Sequence, residues 1–132
     1  LRNQVAQHYN KLFSATESTE NTENNISDLS VSSVSFRGKN IITPFVEEHN
    51  ISAWAQYTIR VKNRDQVQQQ LKEVGIPTAV HYPIPLNKQP AVADVNAQLP
   101  VGDEVAEEVM SLPMHPYFSE LEQLKVVEVL AL

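Results

Sequence analysis

The sequence predicts an α/β domain in which helices cover a small sheet. Three observations indicate this fold class. Apolar and polar residues alternate over residues 51–61, which is typical of a half-buried strand, with Trp54 as the exception on the polar face. Apolar residues recur at helical spacing after Asn63 and again after Ser119. Residues 76–82 are rich in β-branched and aromatic side chains, which favours a second strand.

The chain opens inside a predicted amphipathic helix, over residues 1–13. Leu1 is not an initiator, and the apolar periodicity is already present in the first residues. We therefore expect the chain to be a piece of a longer protein. The residues expected on the buried face of this helix are Val5, Tyr9, Leu12 and Phe13.

Residues 14–40 are predicted to form a low-complexity acidic loop. Residues 12–36 hold four acids and no base, and so carry −4 of the formal net charge of −6. So little apolar surface cannot offset the entropy of ordering the segment. This favours a mobile insertion over an acidic ligand site.

Residues 41–132 form the predicted folded domain. Asn63 is predicted to cap a helix with Gln66 as its capping-box partner, and Gly75 is predicted to end that helix. The residues expected to form its buried stripe are Val67, Leu71 and Val74.

The C-terminal third contains two further predicted helices, after a proline-broken loop that runs to about residue 100. The first begins near Asp103, with Val105, Val109 and Leu112 facing inward. The second is opened by a capping box of Ser119 and Glu122. Its expected buried residues are Leu121, Leu124, Val127 and Leu130.

Composition excludes several classes of protein. The chain has 132 residues, 10 Lys and Arg against 16 Asp and Glu, and no cysteine. The net negative charge argues against nucleic-acid binding, which needs clustered cations. The absence of cysteine excludes disulfide scaffolds, thiolate metal sites and cysteine nucleophiles. The apolar runs are too short to span a membrane and no export signal is visible, so we expect a cytoplasmic protein.

The residues contain no complete catalytic constellation. His8 and His49 are interpreted as surface residues, and His115, between two prolines, as a structural hydrogen-bonding residue. No histidine pair has metal-ligand spacing, and no glycine-rich phosphate loop is present. We therefore predict no catalytic residue, no cofactor-binding residue and no metal site in this chain.

His81 and Tyr82 are the candidate site residues. They end the predicted strand of residues 76–82 and directly precede a proline-stiffened loop. Adjacent residues at a strand end can line a crevice, and prolines hold such a rim at low entropic cost. The alternative left open is that His81 is a structural hydrogen-bonding residue and Tyr82 belongs to the core.

Several blocks resemble the C-terminal domain of the DegT/DnrJ/StrS family of pyridoxal-phosphate-dependent nucleotide-sugar aminotransferases. Arg2-x-x-Val5-Ala6-x-x-Tyr9 and residues 54–60 resemble the helix leading out of the large domain and the first strand of the small one. The most specific blocks are Gly-Ile-Pro-Thr-Ala-Val-His-Tyr-Pro at 75–83 and Leu-Pro-Met-His-Pro at 112–116. The blocks occur in family order and cover nearly everything except residues 14–40. They are most similar to the branch that aminates a UDP-3-keto-N-acetylglucosaminuronate in O-antigen synthesis.

This resemblance implies the small domain of a fold type I enzyme, aspartate aminotransferase-like, that packs on a large cofactor domain. It implies pyridoxal phosphate as cofactor, glutamate as amino donor, a keto nucleotide sugar as acceptor and a homodimer. The family's Schiff-base lysine lies upstream of the matched region, so this chain alone is expected to be inactive and to bind no cofactor. His81 and Tyr82 match positions that contact the sugar nucleotide.

Two alternatives stay open. The same family also aminates 4-keto-6-deoxy nucleotide sugars, and the sequence does not decide between these substrates. The chain could also be a non-catalytic α/β binding module.

Overall fold

The structure is a computed structural model in which residues 1–15, 33–36 and 39–132 are described. The prediction of an α/β domain is confirmed. Among the described residues, no helix is long and apolar enough to cross a membrane. The elements, in chain order, are α1 Arg2–Ala15, β1 Ser33–Phe36, β2 Lys39–Ile42, β3 Tyr57–Val61, α2 Arg64–Glu73, a short 3₁₀ helix Leu86–Lys88, α3 Pro100–Glu108, β4 Val109–Leu112 and α4 Glu120–Leu130.

The four strands form one antiparallel sheet in the order β1-β2-β3-β4. β3 pairs with β4 from Tyr57 opposite Leu112 to Arg60 opposite Val109. Along β3, alternate residues are buried, so the predicted period of two holds within this strand.

The helices bury the apolar side of this sheet. α1 packs against α4 and β1, α2 packs against α4 and β4, and α3 contacts β3. Among the residues that the structure describes, fifteen hydrophobic side chains form one buried cluster, contributed by α1, α2, α4 and strands β2 to β4. Its members are Val5, Ala6, Tyr9, Phe13, Ile41, Tyr57, Ile59, Val61, Val67, Leu71, Met110, Leu112, Val126, Val127 and Leu130.

The predicted strand over residues 51–61 is shorter than expected. It begins only at Tyr57, and Ile51 is 93% exposed. Trp54 has a positive φ of 47°, which a bulky residue adopts only at a cost and which interrupts extended backbone. The alternation of apolar and polar residues over 51–61 therefore predicted a longer strand than the structure has.

The predicted strand over residues 76–82 is wrong except at one position. Only Ala79 pairs, through an antiparallel bridge to Ser111 in β4. Pro77 and Pro83 have no N–H to donate to a ladder, which limits pairing on both sides of the bridge.

The predicted inward helical face at Val109 and Leu112 is also wrong, because both residues belong to β4. Helix α3 ends at Glu108, and the next four residues pair with β3. A short apolar run fits a buried strand as well as a helix, and only the available partner strand decides between them.

The cap at Asn63 differs from the prediction. Asn63 adopts a left-handed conformation with φ 55° and makes no side-chain cap hydrogen bond, so the capping box with Gln66 is wrong. Asparagine is one of the few residues that tolerates this backbone conformation. Val74, the third residue of the predicted stripe, is exposed.

Helix α4 begins at the predicted capping box. The Ser119 hydroxyl accepts from the backbone N–H of Glu122, while the Glu122 carboxylate accepts from the Ser119 backbone N–H at 2.9 Å. The buried face is rotated from the predicted one, since Leu121 and Leu124 are exposed. The buried residues are Gln123, Val126, Val127 and Leu130.

The predicted acidic loop is shorter than residues 14–40. Residues 14 and 15 belong to α1, and residues 33–36 and 39–42 pair as a hairpin. The remainder of the predicted mobile insertion, residues 16–32 and 37–38, lies outside the described residues.

The end of α2 gives a matched test of backbone strain. Gly75 has φ +79° and closes a Schellman motif, in which the Ile76 N–H donates to the Leu71 carbonyl at 2.9 Å. Gly75→Ala is expected to lower the free energy of unfolding by about 1 kcal/mol, because an L side chain is strained there.

The control is Gly102→Ala in α3. Its added Cβ would meet only the Leu99 Cβ at 3.8 Å, and alanine favours the helix by up to about 1 kcal/mol. Urea unfolding of both variants measures the contrast. Equal destabilisation of both variants would contradict the strain at Gly75.

Candidate functional site

The segment that carries His81 and Tyr82 is fixed to the outer edge of the sheet. Ala79 donates to the Ser111 carbonyl at 3.1 Å, and Ser111 donates to the Ala79 carbonyl at 2.8 Å. The Gln68 amide of α2 also donates to the Thr78 hydroxyl at 3.1 Å. Because the bridge is antiparallel, the chain runs from Ala79 toward the Val109 end of β4.

The loop after Tyr82 is held by its own contacts. The Lys88 N–H donates to the Pro85 carbonyl at 2.9 Å in the short 3₁₀ helix. The Lys88 ammonium lies 2.9 Å from the Asp103 carboxylate of α3. The Gln89 amide donates to the Ile84 carbonyl at 3.3 Å. These contacts support the prediction of a stiff rim beside the two candidate residues.

Both candidate side chains are exposed. Tyr82 is 81% exposed and His81 is also on the surface, while Val80 packs against the core. The alternative that Tyr82 is a core residue is therefore wrong for this chain. Among the described residues, neither side chain has a hydrogen-bond partner, so the structural role considered for His81 has no support. The structure leaves both rings available to a ligand.

A charged network occupies the same end of the sheet. Glu108, at the end of α3, is buried and accepts from the Arg60 guanidinium and from the Lys62 ammonium, the latter at 2.6 Å. Glu104, one turn earlier, contacts Arg60 at 2.9 Å and Lys62 at 3.3 Å. The network connects α3 to β3 and so helps to position β4, the strand that follows α3 in the chain.

Sequence reasoning missed this network. Arg60 and Lys62 lie two residues apart on the polar face of the predicted strand, and Glu104 and Glu108 lie four apart on a helix. Both spacings place like side chains on one face. The sequence therefore contained both pairs of like charges. The contact between the strand face and the helix face depends on β4, however, and that strand was not predicted.

The network also bears on the expected absence of a Schiff-base lysine. The hydrogen bonds from Lys62 to Glu108 and Glu104 raise the pKa of that ammonium. A nucleophilic lysine needs the opposite shift, toward the neutral amine. Lys88 is held in its ion pair with Asp103. The described lysines that are engaged thus do not fit a pyridoxal phosphate site.

The other three histidines either make structural hydrogen bonds or lie on the surface. His8 Nδ1 lies 2.6 Å from the Gln123 side-chain oxygen and thereby joins α1 to α4, so His8 is more than the surface residue expected. His115 Nδ1 accepts from the Tyr117 N–H at 3.3 Å, in line with the predicted structural role. His49 lies in an exposed turn, as predicted. Among the described residues, no cluster of three or more His, Asp or Glu could hold a metal ion.

A model of the DegT/DnrJ/EryC1/StrS aminotransferase family matches residues 2–131. The chain belongs to this family, which confirms the resemblance found in the sequence. The aminotransferases of the family depend on pyridoxal phosphate.

Two relatives show the extent of the sequence similarity. The chain is 66% identical over 84 residues to the UDP-2-acetamido-2-deoxy-3-oxo-D-glucuronate aminotransferase of Pseudomonas aeruginosa, covering 64% of this chain and 23% of that protein. It is 42% identical over 97 residues to a pleiotropic regulatory protein of Geobacillus stearothermophilus, covering 71% of this chain and 26% of that protein.

A solved aminotransferase has the same fold. The DegT DnrJ EryC1 StrS aminotransferase of Brucella abortus superposes with a TM-score of 0.69 at 32% identity, over 97% of this chain and 29% of that one. The chain thus spans about a quarter of the length of the relatives it matches.

The network at Glu108 predicts a defined dependence of stability on pH. Hydrogen bonds from Lys62, and then from Arg60, hold the pKa of Glu108 below its usual range, although burial opposes this. A carboxyl group with a lowered folded-state pKa stabilises the fold above its unfolded pKa of about 4.3. That stabilisation is lost as the pH falls through the folded-state pKa.

Glu108→Gln is therefore expected to lower the free energy of unfolding at pH 7 by about 1–2 kcal/mol. The difference from the unchanged chain should shrink as the pH falls below about 4. Glu107→Gln, at an exposed neighbouring position, is the control and should change little. A Glu108→Gln effect that is constant with pH, measured by urea unfolding, would show that the carboxylate charge is not responsible.

Proposed function

We propose that this chain is the C-terminal part of an aminotransferase that transfers an amino group from glutamate to a UDP-3-keto-uronate for O-antigen or surface polysaccharide synthesis. One observation carries the substrate class: the 66% identity to the Pseudomonas aeruginosa enzyme, whose name specifies a UDP-linked 3-oxo-glucuronate. The whole protein would act in the cytoplasm as a homodimer.

In this proposal the cofactor binds outside this chain. Pyridoxal phosphate would supply the electron sink for the amino transfer, and Lys62 and Lys88 are held in ion pairs that do not suit them to bind it. The part represented here would bind and orient the sugar. The chain by itself is accordingly expected to be inactive as a transaminase.

His81 and Tyr82 would contact the sugar nucleotide directly. An imidazole and a phenol can each donate a hydrogen bond to a sugar hydroxyl or to the uronate carboxylate. Both rings are exposed, and the bridge at Ala79 fixes the backbone two residues before His81. A site that is ordered before binding loses less entropy when the sugar arrives.

The substrate class is tested by assaying the full-length protein with glutamate and two acceptors. We expect kcat/KM to be at least about 100-fold higher for the UDP-3-keto-uronate than for a 4-keto-6-deoxy nucleotide sugar. A site built to bind the uronate carboxylate has unpaired polar groups when the substrate lacks that carboxylate.

Preference for the 4-keto sugar would favour the alternative substrate within the family. No turnover of either sugar, by a protein that holds its cofactor, would favour a non-catalytic module. The 132-residue chain alone is the control and should show no transamination.

Substitution of the two candidate residues separates substrate binding from stability. In the full-length protein, His81→Ala and Tyr82→Phe are each expected to raise KM for the sugar by about 3- to 100-fold, the range for one lost hydrogen bond. The glutamate half-reaction should change little, because the donor does not need these contacts. Both side chains are exposed, so the melting temperature should stay the same.

Tyr117→Phe is the matched control for Tyr82→Phe. Tyr117 is also 81% exposed and lies in the other proline-rich turn. Its substitution should leave KM unchanged. A fall in melting temperature without a rise in KM for His81→Ala or Tyr82→Phe would contradict the site assignment.

A further inference from the structure

A cavity of about 320 Å³ lies at the other end of the sheet from His81 and Tyr82. It is half open to solvent and is bounded by the C-terminal end of α1, the segment after β2 and the segment before β3. Three aromatic rings form its apolar walls: Phe13, Phe45 and Trp54. The volume is within the range of small-molecule sites.

The position of this cavity separates it from the candidate sugar site. Trp54 precedes Tyr57, which pairs with the Leu112 end of β4. The segment carrying His81 runs from its bridge toward the opposite, Val109 end of the same strand. The two sites therefore have different walls and share no residue.

Trp54 is held in a strained backbone conformation that presents its indole here. Its φ of 47° lies in the left-handed region, and its N–H is satisfied by the Ser52 hydroxyl at 3.2 Å. The indole stacks on Tyr57 with ring centroids 5.8 Å apart and planes inclined by 25°. Strain of this kind persists where the surrounding structure requires it and is frequent at ligand clamps.

The polar groups of the cavity wall indicate what the ligand carries. The Asn10 side-chain oxygen accepts from the Tyr57 hydroxyl at 2.6 Å, so its N–H groups are the donors left for another partner. Thr43 supplies a hydroxyl to the same wall. Within residues 1–15, 33–36 and 39–132, neither the Asn10 N–H groups nor the Thr43 hydroxyl has a partner. The lining contains no charged side chain, which disfavours an ionic ligand.

We propose that this cavity binds a small, uncharged, planar aromatic molecule that carries a carbonyl or amide group. Its ring extends the stack that runs from Tyr57 to Trp54 and packs beside Phe45. Its carbonyl oxygen accepts from Asn10 or Thr43. This site is distinct from the proposed sugar site, and its occupancy does not depend on the transamination proposed above.

The chain contains its own reporter, since Trp54 is its only tryptophan. Benzamide is the probe, and cyclohexanecarboxamide is the matched control, because it keeps the amide and replaces the aromatic ring with a saturated one. Benzamide titrated into the full-length protein should bind saturably in calorimetry, and any accompanying change in tryptophan fluorescence should be absent from the Trp54→Phe variant. Cyclohexanecarboxamide should bind at least about 3-fold more weakly, the loss expected for one aromatic contact.

Two variants test the walls. Phe45 is 59% exposed, so Phe45→Ala should fold and should weaken benzamide binding by about 3- to 10-fold. Thr43→Val removes one hydroxyl at constant shape and should also weaken benzamide binding. If Phe45→Ala lowers the melting temperature, Thr43→Val is the variant that tests the cavity wall. Ile51→Ala, at a 93% exposed position outside the cavity, and His81→Ala should leave the affinity unchanged.

Equal affinity for benzamide and cyclohexanecarboxamide would overturn the proposal, as would no saturable binding of benzamide. Unchanged benzamide affinity in both Phe45→Ala and Thr43→Val would also overturn it. A loss of benzamide binding in His81→Ala would place the site at the sugar rim instead. Failure of the proposed aminotransferase activity affects none of these measurements.

Discussion

Burial of Tyr9 is the constraint on which the rest of the domain depends. Its ring packs on Tyr57 of β3 at 4.8 Å and approaches Phe118 before α4 at 6.2 Å. Its hydroxyl donates to the Pro113 carbonyl at 3.1 Å, directly after β4. Burial raises the pKa of Tyr9 above its ordinary value, so the phenol remains a donor at physiological pH. One side chain therefore joins the first helix to the central strand and to the segment that connects β4 with α4.

This constraint also reaches both proposed sites. By fixing β4 against β3, it fixes Ser111, whose bridge to Ala79 supports the His81–Tyr82 rim. Tyr57, the partner of Tyr9 in the stack, also packs on Trp54 and donates to Asn10 at the aromatic cavity. The sugar-binding proposal and the aromatic-ligand proposal thus depend on the same packed core but on opposite ends of the sheet.

Local signals predicted the parts of the fold that local physics determines. Gly75 and the Ser119 capping box mark helix ends through backbone conformation and near-neighbour hydrogen bonds, and the structure has both. The β4 strand and the network at Glu108 depend on which segment pairs with β3, which is a long-range choice that periodicity does not encode. Trp54 is a third case, because only the surrounding packing holds a tryptophan at positive φ.

The candidate site likewise has features that local sequence signals predict and features that they do not. The proline-rich loop after Tyr82 was predictable from the chain, but the exposure of His81 and Tyr82 was not, since alternation along the predicted strand suggested that Tyr82 could be buried. The pairing ends at Ala79, and the backbone beyond it is free of the alternation that a strand would impose. Exposure of both rings is what makes a direct sugar contact geometrically possible.

We propose that His81 and Tyr82 position the sugar in the full-length enzyme. A crystal structure of the full-length protein with its UDP-linked amino-sugar product tests it most directly. We expect a hydrogen bond of about 2.7–3.2 Å from the His81 imidazole or the Tyr82 hydroxyl to the sugar. A fully occupied sugar nucleotide with both side chains beyond hydrogen-bond distance would contradict it.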